Sequence, residues 1–219
     1  MFHVKICGVT RADQVAAIRA AGADAIGLNF YADSPRCVST ESAGKITAAC
    51  GDLLKVGVFV NHSAASIRER FDALPLDLIQ LHGDEPPQLL AELGDRPVMK
   101  AFRFGRDGMA PVVKFLETCR VLHSMPRLIL LDAHVPGEYG GSGAVADWDR
   151  IAADRSELGE LPLILAGGLT GDNVAAAIAA VQPTGVDTAS GVESLPGVKD
   201  VGKLQSFCSA ARQALQLLG

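Results

Sequence analysis

Short apolar runs alternate with amphipathic segments from one end of the chain to the other. The runs are rich in Val, Ile and Leu, which is typical of parallel strands that are buried on both faces. The predicted strands are His3–Cys7, Ala25–Phe30, Lys55–Val60, Leu78–Leu81, Val98–Phe102, Leu128–Leu131, Leu163–Ala166 and Gly185–Thr188. Apolar residues at helical spacing predict a helix after every strand. The predicted helices are Thr10–Ala21, Thr40–Cys50, Ser63–Ala73, Pro86–Leu93, Ala110–Cys119, Asp149–Asp154, Asp172–Val181 and Asp200–Leu218.

This succession of strand–helix units predicts the fold class, an α/β protein with a (β/α)8 TIM barrel formed as a single domain over residues 1–219. A doubly wound open sheet is the alternative, but no Gly-x-Gly-x-x-Gly motif follows the first strand. The first helix is predicted to start with a capping-box-like pair, Thr10 and Asp13.

The amino-acid composition, the net charge and the cysteine pattern exclude several classes of protein. Apolar residues make up 48% of the chain but aromatic residues only 5%, so the core is expected to consist of small aliphatic side chains. The net charge of -5, without a long run of either sign, argues against a nucleic-acid partner. No apolar stretch is long enough for a membrane span, and Met1–Arg11 lacks the apolar core of a signal peptide. Five scattered cysteines without a CxxC pair favour a cytoplasmic, reducing compartment over a disulfide or zinc framework.

Hydrogen-bonding and reactive side chains gather at the carboxyl ends of the predicted strands, where the loops of a barrel form its site. By contrast, helix-to-strand loops such as Ala21–Asp24 form the other ends. The polar residues in question are Cys7, Asn29, Gln80, His82, Arg103, Asp132 and Asp187.

Glycine-rich loops follow the last two predicted strands. Gly167 and Gly168 come after strand seven, and Ser190 and Gly191 come after strand eight. Glycine lets the backbone approach an anion, and barrels often bind phosphate between these two loops. The sequence therefore predicts a phosphate site there, with tight turns as the alternative. A third cluster, Gly140–Gly143, is interpreted either as a mobile loop over the site or as a plain linker.

Cys7 and Asp132 are the candidates for proton transfer. Cys7 shares a strand face with Lys5, whose ammonium group would favour the thiolate. Asp132 follows four aliphatic residues, and a carboxyl group in an apolar mouth has a raised pKa and can donate a proton. The alternatives are a small buried cysteine and an aspartate that caps a loop.

Three further residues are candidates for substrate binding. Arg36, in the loop after strand two, could hold a carboxylate bidentately, although most loop arginines are solvated. His82 could polarise an oxygen or cap a loop, and Asp187 could bind substrate or form an Asx-turn. The histidines show no metal-ligand spacing, so no metal site is expected.

The chain resembles the phosphoribosylanthranilate isomerase family through motifs that occur along its whole length in the order of the family. The matching segments are Lys5–Thr10 (KICGVT), Gly27–Phe30 (GLNF), Ser34–Arg36 (SPR), Val56–Asn61 (VGVFVN), Gln80–Gly83 (QLHG), Leu131–Ala133 (LDA), Leu165–Leu169 (LAGGL) and Val186–Glu193 (VDTASGVE). The chain departs from the usual family pattern at Cys37, Thr40 and Asp147, and none of these is a proton-transfer position.

The resemblance implies a barrel enzyme of tryptophan biosynthesis that rearranges N-(5-phosphoribosyl)anthranilate to the 1-deoxyribulose 5-phosphate product. It implies Cys7 as general base, Asp132 as general acid and Arg36 as the binder of the anthranilate carboxylate, while Asp187 orients a substrate hydroxyl or the amine. No metal or organic cofactor is expected, the partner is a small phosphorylated substrate, and the chain is expected to be a monomer or homodimer.

Three other functions remain open at this point. A sugar isomerase of the histidine pathway would have an aspartate where this chain has Cys7. A barrel that only binds a phosphorylated metabolite would lack the proton-transfer positions. An enzyme with a cysteine nucleophile would place a histidine beside Cys7, and His82 is the candidate.

Overall fold

A computed structural model describes residues 2–132 and 147–218 as a closed parallel barrel with helices between its strands. Strand β1 pairs with β2 on one side and with β8 on the other, which confirms the predicted barrel and rules out an open sheet. The strands are β1 Val4–Ile6, β2 Ala25–Asn29, β3 Leu54–Phe59, β4 Leu78–Leu81, β5 Val98–Arg103, β6 Leu128–Asp132, β7 Leu163–Ala166 and β8 Gly185–Thr188.

Helices follow the strands where the sequence predicted them. Their bounds are α1 Gln14–Ala20, α2 Thr40–Ala49, α3 Ala64–Ala73, α4 Gln88–Leu93, α5 Ala110–Val121, α6 Trp148–Asp154, α7 Val174–Val181 and α8 Val201–Gln216. The predicted capping box of α1 is wrong, because Asp13 at the N-cap makes no side-chain cap hydrogen bond and pairs with Arg11 instead. The backbone N–H of Thr10 donates to the side chain of Gln14.

The alternation of side chains along each strand divides the core into two parts. In β6, Leu128 and Leu130 belong to the cluster inside the barrel, whereas Ile129 and Leu131 pack in the cluster that includes residues of the helices. Because side chains alternate, Asp132 continues the inward series at the carboxyl end of the strand. The same alternation of side chains points Lys5 and Cys7 inward from the first strand. Lys5, Cys7 and Asp132 therefore lie above the apolar interior of the barrel.

A short antiparallel hairpin lies between β8 and α8. A 3₁₀ turn over Ser190–Val192 leads into β9 (Glu193–Leu195), which pairs with β10 (Val198–Lys199). This hairpin was not predicted from the sequence, and it contacts the first βα loop through Thr10, whose hydroxyl donates to the carbonyl of Gly197 over 2.7 Å.

The third glycine cluster, Gly140–Gly143, lies outside the described residues. Across residues 2–132 and 147–218, no helix has the length and apolar character that crossing a bilayer requires.

Candidate active site

A cavity of about 290 Å³ opens at the carboxyl ends of the strands. It brings together most of the residues that the sequence singled out. These include both proton-transfer candidates and three of the four predicted phosphate-binding residues, Gly167, Gly168 and Ser190. Its polar lining residues are Cys7, Gln80, His82, Asp132, Asp187, Thr188 and Ser190, and Gly167 and Gly168 form one wall. A thiol and a carboxyl group therefore line the same small space, as acid–base chemistry requires.

Cys7 reaches this cavity directly after β1. Its backbone N–H donates to the carbonyl of Thr188 over 2.8 Å, so the residue prolongs the pairing of β1 with β8. Its side chain is partly exposed and lies against Gly27, where an added Cβ would come within 2.7 Å of the sulfur. Burial raises the pKa of the Cys7 thiol above its usual value, and the ammonium group of Lys5 opposes that rise without cancelling it. Lys5 thus favours the thiolate, as expected, but burial has the larger effect.

Lys5 lies below Cys7 in the barrel and forms a buried ion pair. Its Nζ donates to Asp187 Oδ2 over 2.7 Å, and the two residues are register partners in β1 and β8. Although burial lowers the pKa of Lys5, the carboxylate of Asp187 and the thiol of Cys7 raise it to a value above normal. The other oxygen of Asp187, Oδ1, is buried and has no hydrogen-bond partner among the described residues. Asp187 therefore pairs with Lys5 through one oxygen and lines the cavity.

Asp132 faces His82 across the same cavity. His82 Nε2 lies 3.5 Å from Asp132 Oδ2, and both side chains are about one-quarter exposed, at 26% each. The other ring nitrogen of His82, Nδ1, lies 2.8 Å from Nε2 of Gln80. With the amide as donor, Nδ1 accepts and the proton of the neutral ring is on Nε2, directed towards Asp132. Gln80 lies in β4 and His82 directly follows that strand. Because they are two residues apart, both side chains point to the inward side, where Asp132 also lines the cavity.

The two glycine loops lie side by side at the ends of β7 and β8. The hydroxyl of Thr188 donates to the carbonyl of Leu169 over 2.7 Å and holds the loops together. Gly167 and Gly168 adopt φ values of 97° and 64°, which L side chains rarely adopt. Their N–H groups donate to no oxygen within the two described stretches of the chain. These donors are therefore available to an anion in the cavity, next to Ser190.

Two predicted site residues do not line the cavity. Gly191 packs against the other glycine loop, and a Cβ there would collide with the carbonyl of Leu169. Arg36 lies over Gly8, and its guanidinium binds Glu193 through Nε and Nη2. Arg36 is therefore a paired side chain rather than a solvated one, beside Cys7 but outside the cavity that Cys7 lines.

Sequence reasoning did not single out Glu193 and Lys199 as site residues, although the structure places them beside Cys7. Lys199 Nζ donates to the carbonyl of Cys7 over 2.5 Å and to Glu193 Oε1 over 2.8 Å. Glu193 ends a motif that the resemblance singled out, so that signal was present in the sequence. No signal in the sequence marked Lys199, because a single lysine after a turn is usually solvated.

A larger cavity of about 510 Å³ lies between the loops after β4 and β5 and helix α5. It shares His82 with the smaller cavity but contains neither Cys7 nor Asp132, and neither glycine loop borders it. Size alone does not identify an active site, and the smaller cavity is the one with convergent polar groups. In the described part of the chain, no group of three or more His, Cys, Asp or Glu residues could hold a metal ion.

The chain is similar to known proteins of one family. A family model described as N-(5'phosphoribosyl)anthranilate (PRA) isomerase matches residues 4–210. N-(5'-phosphoribosyl)anthranilate isomerase of Pseudomonas putida is 46% identical over 211 residues, which cover 96% of this chain and 97% of the relative. The solved Thermotoga maritima phosphoribosyl anthranilate isomerase is 36% identical with a TM-score of 0.85, over 97% of this chain and 100% of that one. A phosphoribosyl anthranilate isomerase solved with reduced 1-(o-carboxyphenylamino)-1-deoxyribulose 5-phosphate is 33% identical with a TM-score of 0.82, over the same shares of the two chains.

Proposed function

Because the chain belongs to the N-(5'-phosphoribosyl)anthranilate isomerase family, we propose that Cys7 and Asp132 are the proton-transfer pair of its reaction. The chain is an isomerase of tryptophan biosynthesis that acts on N-(5'-phosphoribosyl)anthranilate. The observation that carries the residue assignment is that the thiol and the carboxyl group line one cavity of about 290 Å³ beside two glycine loops.

The reaction starts when Asp132, as general acid, protonates the ring oxygen of the ribose. The bond between that oxygen and C1′ breaks, and the lone pair of the anthranilate nitrogen forms a C1′=N bond, which gives a protonated Schiff base. His82 supports this step, because its Nε2, 3.5 Å from the carboxylate, orients Asp132. A positioned acid of this kind contributes roughly 10²- to 10⁴-fold to a rate.

Cys7 then acts as general base. Its thiolate removes the proton from C2′, and the electron pair moves through C1′ to the imine nitrogen, which gives an enolamine that tautomerises to the ketone. The imine nitrogen is itself the electron acceptor, so this proton transfer needs neither a metal nor an organic cofactor. Lys5 supports the base, because its ammonium group lowers the pKa of a thiol that burial has raised.

The substrate extends from the phosphate loops through the cavity towards Arg36, which lies just outside it. The N–H groups of Gly167 and Gly168 and the side chain of Ser190 bind the phosphate, and Gly191 permits the close approach of the two loops. Arg36 binds the carboxylate of the anthranilate ring. Asp187 Oδ1, which has no partner among the described residues, accepts from a substrate hydroxyl or the amine.

The remaining expectations follow the same assignment. The whole chain acts as one catalytic domain, as a monomer or a homodimer, without nucleic acid or membrane as partner. The five cysteines are free thiols, which suits the reducing cytoplasm.

The test of this assignment is an assay with freshly prepared substrate, followed by the decay of its fluorescence. We expect Cys7→Ala to reduce kcat by roughly 10²- to 10⁴-fold, with an unchanged circular dichroism spectrum. The matched control is Cys208→Ala, which removes a buried thiol of α8 that is remote from the cavity. Turnover close to wild type in Cys7→Ala would exclude the thiol as the base.

A further inference from the structure

Arg36 and Glu193 form a bidentate ion pair between the second βα loop and the start of β9. Arg36 Nε donates to Glu193 Oε1 over 2.9 Å, and Arg36 Nη2 donates to Oε2 over 2.5 Å. The Glu193 side chain is almost fully buried, at 4% exposure, and that of Arg36 is 21% exposed. This pair is therefore partly desolvated and fixed in geometry, unlike an ion pair on an open surface.

The geometry of the pair leaves one edge of the guanidinium unused by Glu193. A guanidinium carries five N–H donors in a plane, and a carboxylate can bind along either of its edges. Glu193 takes the side that carries Nε and one hydrogen of Nη2. The remaining edge, with Nη1 and the second hydrogen of Nη2, can still bind another carboxylate bidentately.

Lys199 connects this pair to the catalytic base. Its buried Nζ donates to Glu193 Oε1, to the carbonyl of Cys7 and, over 3.2 Å, to the carbonyl of Ala189. Glu193 Oε1 also accepts from the N–H of Gly197 over 3.2 Å, which fixes the carboxylate within the hairpin. Arg36 is thus held at a set position relative to Cys7 through atoms that belong to Glu193 and Lys199.

The charges of the cluster suit an anionic partner. Two basic residues, Arg36 and Lys199, contact one carboxylate, so the cluster is net positive when both are protonated. Burial lowers the pKa of Lys199, and Glu193 opposes that fall. Burial raises the pKa of Glu193, but the hydrogen bonds from Arg36 and Lys199 lower it by more than burial raises it. The pKa is therefore below its usual value, and the carboxylate remains ionised. An ionised Glu193 orients the guanidinium and leaves net positive charge for a substrate carboxylate.

We propose that Glu193 is a positioning residue that, with Lys199, holds Arg36 in the orientation that selects a substrate with a carboxylate on the aromatic amine. This inference rests on the proposed role of Arg36 as the carboxylate binder. Glu193 itself touches no reacting atom. Its role is to remove the rotational freedom of the arginine before substrate arrives, which lowers the entropic cost of binding.

The test compares Glu193→Gln with wild type on two substrates, N-(5'-phosphoribosyl)anthranilate and the corresponding aniline compound that lacks the carboxylate. Glutamine keeps the size of the side chain but loses the charged fork. We expect KM for the carboxylated substrate to rise about tenfold, the effect of losing one charge-assisted contact, with a smaller change in kcat. KM for the aniline compound should stay at its wild-type value.

The chain offers a matched control for the loss of an arginine–carboxylate fork. Arg96 binds Asp72 through Nε and Nη2 in the same side-on arrangement, away from the catalytic cavity. Asp72→Asn should leave KM and kcat unchanged on both substrates. If Glu193→Gln does not fold, Glu193→Asp retains the charge one methylene further back and should raise KM for the carboxylated substrate by a smaller factor.

Arg36→Met separates this inference from the proposed function. It should raise KM for the carboxylated substrate, and adding Glu193→Gln to it should raise KM no further. An unchanged KM in Arg36→Met would refute the carboxylate role of Arg36 itself. If Arg36→Met raises KM but Glu193→Gln leaves it unchanged or lowers it, the positioning role is wrong. An equal rise on both substrates would overturn it as well, because the effect would not depend on the carboxylate.

Discussion

Lys5 Nζ lies 2.7 Å from Asp187 Oδ2 inside the barrel, directly below the strand end that carries Cys7. Both charges are almost fully removed from solvent, with side-chain exposures of 0% and 6%. A buried pair of this kind is costly to break, since removing one partner leaves the other unpaired. Because the pair lies beneath the thiol, Lys5 lowers the pKa of Cys7 and Asp187 raises it.

Lys5→Met should move the acid limb of the kcat–pH profile to higher pH. The ammonium group of Lys5 lowers the pKa of the Cys7 thiol. Without it, burial and Asp187 raise that pKa, and only the smaller effect of Lys199 opposes them. At a given pH below the pKa, less thiolate is then present and kcat falls. Lys5→Arg should partly restore the profile, because it restores the cation.

Lys55→Met is the control for Lys5→Met, because it removes a lysine paired with Asp77 at the other end of the barrel. It should leave the kcat–pH profile in place. Leaving the buried Asp187 carboxylate unpaired costs roughly 3–5 kcal/mol of stability. Thermal melts therefore serve to choose an assay temperature at which each variant is still folded. A folded Lys5→Met protein with the wild-type profile would show that the lysine has no effect on the base.

Asp132→Asn should lower kcat by roughly 10²- to 10⁴-fold, because the amide cannot donate the proton that opens the ribose ring. The side chain keeps its size, so the contact with His82 and the fold should persist. Asp52→Asn, at an exposed aspartate before β3, is the control and should turn over normally. If kcat survives in Asp132→Asn, the acid is a different group.

Gly27→Ala should lower kcat, whereas Gly44→Ala should not. A Cβ on Gly27 would lie 2.7 Å from the sulfur of Cys7, so the thiol must move. A Cβ on Gly44, inside helix α2, meets only Leu74 at 3.9 Å, and alanine there should stabilise the helix by about 0.5–1 kcal/mol. Steady-state kinetics and thermal melts of both variants test the pair, and equal kcat values would mean that the position of the sulfur is not critical.

Ser190→Ala should weaken phosphate recognition while the chemical step continues. Its side chain lines the cavity beside Gly167 and Gly168, so losing the hydroxyl removes one donor to the phosphate. We expect KM to rise roughly fivefold or more, as for the loss of a hydrogen bond to a charged group, and inhibition by inorganic phosphate to weaken in parallel. Ser156→Ala, at an exposed serine, is the control. Unchanged phosphate inhibition would place the anion elsewhere.

Stability should decline between about pH 9 and 11 through the three buried cysteines that the mechanism does not use. Burial raises the thiol pKa of Cys50, Cys119 and Cys208 to about 11, from 9.0 for an ordinary thiol. In this window the unfolded chain has lost these protons and the folded one retains them, so the free energy of unfolding falls as pH rises. The melting temperature of a variant with alanine at all three positions should depend less on pH there. An equal dependence in both proteins would assign the decline to other groups.

Local sequence was sufficient to predict the barrel and most of its mouth. Apolar runs identified every barrel strand, because a strand that is buried on both faces needs continuous aliphatic residues whatever its neighbours are. Helical spacing identified the helices between the strands. Alternation then placed Cys7 and Asp132 on inward faces at strand ends. The start of α1 could not be predicted in the same way, since Gln14 rather than Thr10 and Asp13 supplies the local hydrogen bond.

Only the tertiary structure decided which charged groups pair with one another. Lys5 meets Asp187 across 182 residues, and Arg36 meets Glu193 across 157, because the barrel closes β1 onto β8 and brings the hairpin over the second loop. Residue order carries no signal for such partners, since hydrogen bonds and desolvation depend on distances that exist only after the barrel closes. The sequence thus determined the strands and the reactive side chains, while closure of the sheet determined their pKa values and orientation.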